Sequence, residues 1–445
     1  MHGRASPARA LMCILFVPHG KNTLCLLLSL VMAWSPNLIV YPFLLAAIYY
    51  EFFLLVTFLS KPARDSRKRG TPTTYPHVAI IVPCWNEENT IESTTKSLLA
   101  LKYPSKKLSI VLVNDGSTDN TKKILARFAR HPQIKIINKE KNGGKYTALN
   151  AGISSSPEAE FIGCLDADSL VAPDALREIV SCFEKPEVMA TTAAMSVHKP
   201  HTLLQHMQYA EYIFGITTRH ILSSVNGIYV TPGPFSIYRS KVFRELGNFR
   251  HGYQTEDLEM ALRIQYAGYK IENSLRARVY TKAPSTLRPL LKQRVRWTSG
   301  FLRNILYDYR GLIANPRYNA LGLFILPFAL FSMFSGISLF SLSIFEFAKS
   351  TIHSVSVAQG VPLTYALSLH SFSWFYLPFT VMFFLGGATL LITLVFIVMG
   401  KRLSNTPGNL TVSAIAYSIL YGFVAPLWLI RSVADVASGA RRSWR

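Results

Sequence analysis

The stretch HVAIIVPCWNEE, His77 to Glu88, reads as a short β-rich strand that ends in a polar loop and opens a helix. Working outward, LSIVLV (Leu108 to Val113), Ile134 to Ile137 and Phe161 to Leu165 repeat the pattern. Between them, Glu87 to Leu101 and Thr118 to Arg130 have helical character. Strands that alternate with helices predict an α/β domain with a mostly parallel sheet wrapped by helices. In such a sheet the ligand-binding residues lie just after the carboxyl ends of the strands.

The apolar residues, half of the 445, gather at the two ends of the chain. From Asn22 to Ser60 the only charge is Glu51, which allows one spanning helix from Leu38 to Ser60 or a hairpin broken at Ser35-Pro36-Asn37. Arg4 and Arg9 precede an apolar run without a small-residue cleavage site, so the N-terminal segment is expected to be retained. Leu321 to Phe345, Trp374 to Met399 and Thr411 to Ile430 are uncharged and long enough to span a bilayer. The resulting plan is a membrane segment over 1–60, a basic linker over 61–76, a catalytic domain over 77–285, an amphipathic interface helix over 286–312 and a transmembrane region of about three helices over 313–445.

Lysine and arginine number 47 against 25 acids, a net charge of +22. Nucleic acid, an anionic membrane surface and a phosphate-bearing substrate are the partners such a charge suits. No zinc finger, aromatic RNA-binding strand or basic dimerising helix appears, so no nucleic acid is expected. Lys61, Arg64, Arg67, Lys68 and Arg69 follow the first apolar block, and Lys401 and Arg402 follow a later one. The positive-inside rule makes this a multi-pass integral membrane protein with its catalytic domain in the cytoplasm, although the same count leaves Arg441, Arg442 and Arg445 outside. Cys13, Cys25, Cys84, Cys164 and Cys182 show neither metal spacing nor a disulfide framework.

The strand-end loops carry the chemistry. Asn114-Asp115-Gly116-Ser117 is either turn and cap chemistry or a place where Asp115 accepts hydrogen bonds from a nucleoside. Lys141-Asn142-Gly143-Gly144-Lys145 is either a glycine turn or a diphosphate cradle of backbone amides with Lys145 adding charge. Asp166 and Asp168 put two hard oxygen donors at one strand end, suited to Mg2+ or Mn2+ bridging the phosphates of a donor. Thr255-Glu256-Asp257 is good helix-start design and also offers Asp257 as a general base. Gln293, Arg296 and Trp297 share one helix face, with Arg296 placed to neutralise a departing diphosphate and the indole to wall a sugar ring. The helix that carries them, Thr286 to Tyr309, is amphipathic and suited to the membrane surface.

Taken together, WNEE at 85–88, NDGSTD at 114–119, KNGGK at 141–145, DAD at 166–168, GPFSIYR at 233–239, TED at 255–257 and QRVRW at 293–297 resemble the family 2 glycosyltransferases. The resemblance spans roughly residues 77–305 and points to the membrane-integrated group of cellulose, chitin, hyaluronan and poly-N-acetylglucosamine synthases. It implies a GT-A fold, an inverting single displacement, a UDP-sugar donor and a divalent metal. Asn86, Glu87, Asp115, Lys145, Asp166 and Arg296 would then hold the nucleotide-sugar, and Asp168 with Asp166 the metal. Asp257 would be the base, and Glu256, Gln293, Arg296 and Trp297 would line the acceptor and diphosphate end. Thr-Glu-Asp-Leu at the base, in place of Gly-Glu-Asp-Arg, is closer to the cellulose and poly-N-acetylglucosamine type. UDP-N-acetylglucosamine or UDP-glucose is therefore the expected donor, and a growing β-linked polysaccharide extruded through the spans the expected product. The alternative is transfer of one sugar to a lipid acceptor, as in ceramide glucosyltransferases.

Overall fold

The computed structural model describes residues 37–60, 74–357 and 380–439. The catalytic domain begins with β1 (Val78–Cys84), α2 (Ile91–Leu99) and β2 (Leu108–Asp115), preceded by the first apolar helix, α1 (Asn37–Ser60). It continues through α3 (Thr121–Ala126), β3 (Ile134–Lys139), α4 (Lys145–Ser154), β4 (Phe161–Cys164), β5 (Ser169–Val171), α5 (Ala175–Val180) and β6 (Val188–Val197). Then come α6 (Leu203–Ser224), β7 (Ser236–Arg239), α7 (Ser240–Leu246), α8 (Glu256–Tyr266) and β8 (Lys270–Thr281). The eight strands form one sheet in the order β3-β2-β1-β4-β7-β6-β8-β5. β1, β2, β3 and β4 pair in parallel, whereas β7 is antiparallel to both β4 and β6. This is a GT-A-type sheet.

The side chains of β1 show why the strand is apolar at every position. Val78, Ile80, Val82 and Cys84 enter one core with Ile91 and Leu98 of α2. Ala79 and Ile81 enter the other, with Ala148 and Leu149 of α4 and Met260 and Leu262 of α8. A strand buried on both faces reads as a continuous apolar run, and the period of two appears only in the partition between cores.

Two expected helices are shorter than their periodicity suggests. The one expected over Glu87 to Leu101 begins at Ile91, because Asn86 takes a left-handed φ of 57° and the Glu87 carbonyl caps a turn by accepting from the amides of Thr90 and Ile91. The one expected over Thr118 to Arg130 runs only from Thr121 to Ala126, its Asp119 being spent on the amides of Thr121 and Glu88. Both loops are thereby fixed at the carboxyl edge of the sheet.

After β8 come α9 (Leu287–Arg303), then α10 (Leu326–Val357), α11 (Val381–Ser404) and α12 (Leu410–Ala437). Among the described residues four helices are long and apolar enough to cross a membrane: Ile39–Ser60, Leu321–Ser356, Val381–Ser404 and Leu410–Ala437. They overlap the four runs found in the sequence, but α10 and α12 extend past them to include Glu346, Lys349, Arg431 and Asp435. The possible N-terminal hairpin, the retained N-terminus, the linker over 61–73, Trp374 and the terminal arginines lie outside the described residues.

The amphipathic helix is α9 alone, followed by a wide turn over Asn304–Asp308 rather than continuing to Tyr309. Its apolar side, with Leu290 and Val295, packs with Ala416, Val424 and Trp428 of α12. α6 docks on the spans as well. The Thr217 hydroxyl donates to the Phe396 carbonyl at 2.7 Å, and the His206 ring meets the Ser413 hydroxyl at 2.9 Å. α6 and α9 thus tie the sheet to α11 and α12, which sets where the site can open.

Candidate active site

A cavity of about 750 Å³ lies at the carboxyl edge of the sheet and reaches α6, α9 and α12. Glu87, Asp115, Lys145, Asp166, Asp168, Glu256, Asp257, Gln293, Arg296 and Trp297 all line it. Asn86 does not. Its Oδ1 accepts from the Thr118 amide at 2.8 Å while its own amide donates to the Ser117 hydroxyl at 3.1 Å, so it staples the β1 loop to the β2 loop. Trp85 takes the place in the lining that Asn86 was expected to hold.

Asp115 is nearly buried, and its carboxylate is already occupied on several sides. Oδ1 accepts from the Gly143 amide at 3.0 Å, Oδ2 from the Gly144 amide at 2.9 Å, and Lys139, its register partner on β3, forms an ion pair with it. The paired glycine amides, expected to meet an oxyanion of the donor, therefore meet this one. Glycine is required at two points here. Gly144 has a φ of 97°, and a Cβ on Gly116 (φ 68°) would fall 2.6 Å from the Asn142 nitrogen. Asp115 in this way fixes the loop that starts α4, and with it Lys145.

The Lys145 ammonium lies 2.6 Å from Asp166 and 3.3 Å from Glu256. Burial works to lower its pKa, but Asp166, Glu256 and Asp257 outweigh burial and raise it, so the ammonium stays charged. Asp168 accepts from the Ser169 hydroxyl at 3.1 Å. Its pKa is pushed up to about 6, first by burial and then by the charges of Asp166 and Glu87. Glu87 is raised too, mainly by burial, against a hydrogen bond from the Thr90 hydroxyl.

Asp257 sits in the first turn of α8 with both carboxylate oxygens held: Oδ2 accepts from the Gly233 amide at 3.0 Å and Oδ1 from the Leu258 amide at 2.8 Å. Burial and then the charge of Glu256 raise its pKa, and Lys145 opposes them. Gly233 supplies the closest approach. A Cβ there would lie 2.6 Å from Lys145 Nζ and 2.9 Å from Asp166 Oδ2. The glycine of GPFSIYR is what lets Asp257, Lys145 and Asp166 share one volume.

On α9, Arg296 donates to the Gln254 carbonyl at 3.0 Å, and Gln293 aims into the cavity a buried Oε1 that has no hydrogen-bond partner. Arg294, which the sequence reading did not single out, lies 4.5 Å over the Trp297 ring and pairs with Glu211 of α6 at 2.7 Å. Glu211, Tyr212 and Arg219 of α6 and Tyr417 and Tyr421 of α12 complete the lining. They carry no motif. The only signal in the sequence is polar side chains on helices otherwise committed to apolar packing.

Among the described residues no three His, Cys, Asp or Glu side chains are clustered as a ready-made metal cage. The donor set nevertheless fits a hard cation. Asp166 and Asp168 offer oxygens two residues apart, and burial, then the charges of Asp166 and Glu87, raise Asp168. A magnesium-like ion bound with substrate phosphates needs only one or two protein carboxylates.

This geometry, acids at the ends of parallel strands with a buried aspartate across the cavity, is that of a GT-A fold. Residues 79–247 match glycosyl transferase family 2. A poly-beta-1,6-N-acetyl-D-glucosamine synthase of Staphylococcus epidermidis is 29% identical over 305 residues, 68% of this chain and 71% of that protein. A synthase of the same name from Staphylococcus aureus (strain MSSA476) is 30% identical over 246 residues, 54% of this chain and 58% of that protein. Among solved structures, a mannosyltransferase from Pyrobaculum calidifontis in complex with GDP-Man and Mn2+ superposes with a TM-score of 0.60 over 90% of this chain and 97% of that one, at 19% identity, a likeness of fold. The chain carries a glycosyl transferase family 2 domain over residues 79–247.

Proposed function

We propose that the protein elongates a β-linked polysaccharide, taking N-acetylglucosamine from UDP-N-acetylglucosamine on the cytoplasmic side of a membrane it crosses several times. The names of its relatives support the sugar and the polymer. The four spanning-length helices and the basic residues beside them support the placement. The observation that carries the reading is that Asp257, Asp168, Lys145, Arg296 and Trp297 open into one cavity.

In this reading the uracil and ribose lie against the β1 and β2 loops near Glu87 and Asp115. Asp168, with Asp166, holds Mg2+ or Mn2+, which when bound neutralises the diphosphate. Asp257 takes the proton from the acceptor hydroxyl as that oxygen bonds to the anomeric carbon and the bond from that carbon to the diphosphate oxygen breaks on the opposite face. The configuration inverts, and an α-linked donor gives a β-linked product. The Gly233 and Leu258 amides keep the carboxylate oriented, while Trp297 walls the acceptor sugar and Arg296 meets the departing UDP. The lengthening polymer leaves past Tyr417 and Tyr421 of α12, between the spans.

Asp257→Asn tests this. Release of UDP from UDP-N-acetylglucosamine should fall by ~10²–10⁴-fold, the usual contribution of a general base, and sizing of the wild-type product should show a ladder of long chains. Unchanged UDP release removes Asp257 from the mechanism, and a single organic-extractable glycolipid replaces polymerisation by one transfer to a lipid.

A further inference from the structure

The cavity has a charged end that the carboxylate cluster does not neutralise. Arg219, near the C-terminus of α6, lines it. Its Nε and Nη2 are buried and have no hydrogen-bond partner. These two nitrogens form one edge of the guanidinium, with N–H bonds that run parallel and are spaced to chelate a carboxylate or phosphate. Glu211, the acid on the same helix that lines the cavity, is committed to Arg294. The ionisable groups acting on Arg219 are the phenols of Tyr212 and Tyr229. Burial outweighs them and lowers its pKa to about 10, so the group still carries its charge at neutral pH.

The backbone makes room for this guanidinium. A Cβ on Gly215 would lie 3.2 Å from Nη1 and 3.7 Å from Nη2, so the group rests along a glycine one turn earlier that also lines the cavity. A buried cation with two unpaired donors and a cleared seat is costly unless a ligand supplies the counter-charge. The position selects which ligand. Tyr417 and Tyr421 of α12 line the same cavity, which puts Arg219 where the catalytic domain meets the spans. Tyr212 feels Arg294, Glu211, Asp168 and Arg219 together, and so joins this end to the wall made by Trp297.

We infer that the Nε and Nη2 edge of Arg219 receives a phosphate group, at the junction of the catalytic domain and the spans. This rests on the reading above that the carboxylate end takes the donor. The charges divide accordingly: the acid-rich end suits a metal-bound diphosphate, and the Arg219 end suits an anion that brings no metal. The phosphate is either a lipid headgroup or a free ion, and the chemistry of recognition is the same.

The test uses the full chain in nanodiscs, with UDP and Mn2+ saturating so that the donor end is filled. Radiolabelled inorganic phosphate is titrated in one arm. In the other, phosphatidic acid is incorporated against a phosphatidylcholine background and retention is measured by native mass spectrometry. Wild type, Arg219→Gln, Arg219→Lys and Gly215→Ala are compared, each with its unfolding midpoint. Saturable binding in either arm, weakened at least tenfold by Arg219→Gln and less by Arg219→Lys, supports the inference. Binding in the lipid arm alone assigns the phosphate to a headgroup. Gly215→Ala, which crowds the guanidinium without removing its charge, should weaken binding as well and stands in if Arg219→Gln does not fold. No binding to wild type, or equal binding to wild type and to every folded variant, overturns it. Failure of wild type to bind UDP would instead refute the donor reading, and the phosphate titration without UDP would still report on Arg219.

Discussion

Gly233→Ala is the most discriminating perturbation of the site, because it adds one methyl group and removes no functional atom. Gly233 has an ordinary negative or extended φ, so alanine meets no backbone penalty there. The new Cβ would lie 2.6 Å from Lys145 Nζ and 2.9 and 3.0 Å from the two Asp166 carboxylate oxygens. Ordinary contact begins near 3.4 Å, so the ammonium must retreat by about 0.8 Å and the carboxylate by about half that. Both are ends of flexible side chains and can move. The stability cost is therefore small, offset in part by the ~0.4–1 kcal/mol that replacing glycine returns through the unfolded chain. Catalysis has no such slack. The Gly233 amide orients Asp257, and the displaced Lys145 and Asp166 form an ion pair that, in the proposed reading, borders the donor diphosphate. A misplacement approaching 1 Å costs about 10²-fold in rate, or ~2.7 kcal/mol of barrier at 1.36 kcal/mol per tenfold. The assay is UDP release under saturating donor, run beside a thermal unfolding curve. Wild-type turnover in a folded Gly233→Ala protein would refute the claim that base, lysine and aspartate share this volume, and a collapsed unfolding midpoint would refute the claim that the pair can yield.

Two further perturbations separate electrostatics from packing. Burial and the charge of Glu256 raise the pKa of Asp257, and a base works only when deprotonated, so turnover falls as pH drops through that pKa. Glu256→Gln removes the repulsion, and the acidic limb of the pH profile should move to lower pH; a limb that stays in place or rises refutes the coupling. Gly400→Ala would set a Cβ against the Ile213 carbonyl oxygen and 2.5 Å from Thr217 Oγ1, where α11 crosses α6. Overpacking of this kind costs ~1–3 kcal/mol, read as a lower unfolding midpoint in a fixed detergent, and an unchanged midpoint would mean that the crossing is looser than it looks.

The site was legible in the sequence where chemistry is tied to topology. Asp115, Asp166 and Asp168 each follow an apolar run, and in a parallel sheet the ends of β2 and β4 must meet at one edge. Asp257 follows no strand. Its motif carried it, and the fold brings it to the cavity by starting α8 there. What the local pattern could not reveal is how polar groups are spent. The Gly143 and Gly144 amides look free in sequence, yet they bind Asp115, because β3 places Lys139 opposite that aspartate in register and the loop after β3 folds back over it. Asn86 looks like a ligand and serves as a staple.

The opposite error hides the end of the cavity lined by α6 and α12. Glu211, Arg219, Tyr417 and Tyr421 lie on α6 and α12, where a polar residue in a mostly apolar helix is indistinguishable by period from one that faces water. In the folded chain Arg219 lines the cavity with Nε and Nη2 buried. Buried polar groups in a folded protein are almost always paired. The Gln293 Oε1 and the Arg219 Nε and Nη2, which line this cavity unpaired, are the atoms whose missing bonds the inferred ligand would supply. One is an acceptor on the helix of Trp297, and the other two are donors where α6 meets the spans. A hydroxyl or amide would satisfy the first and an anion the second, so on the inference above this end would bind more than the sugar being extended.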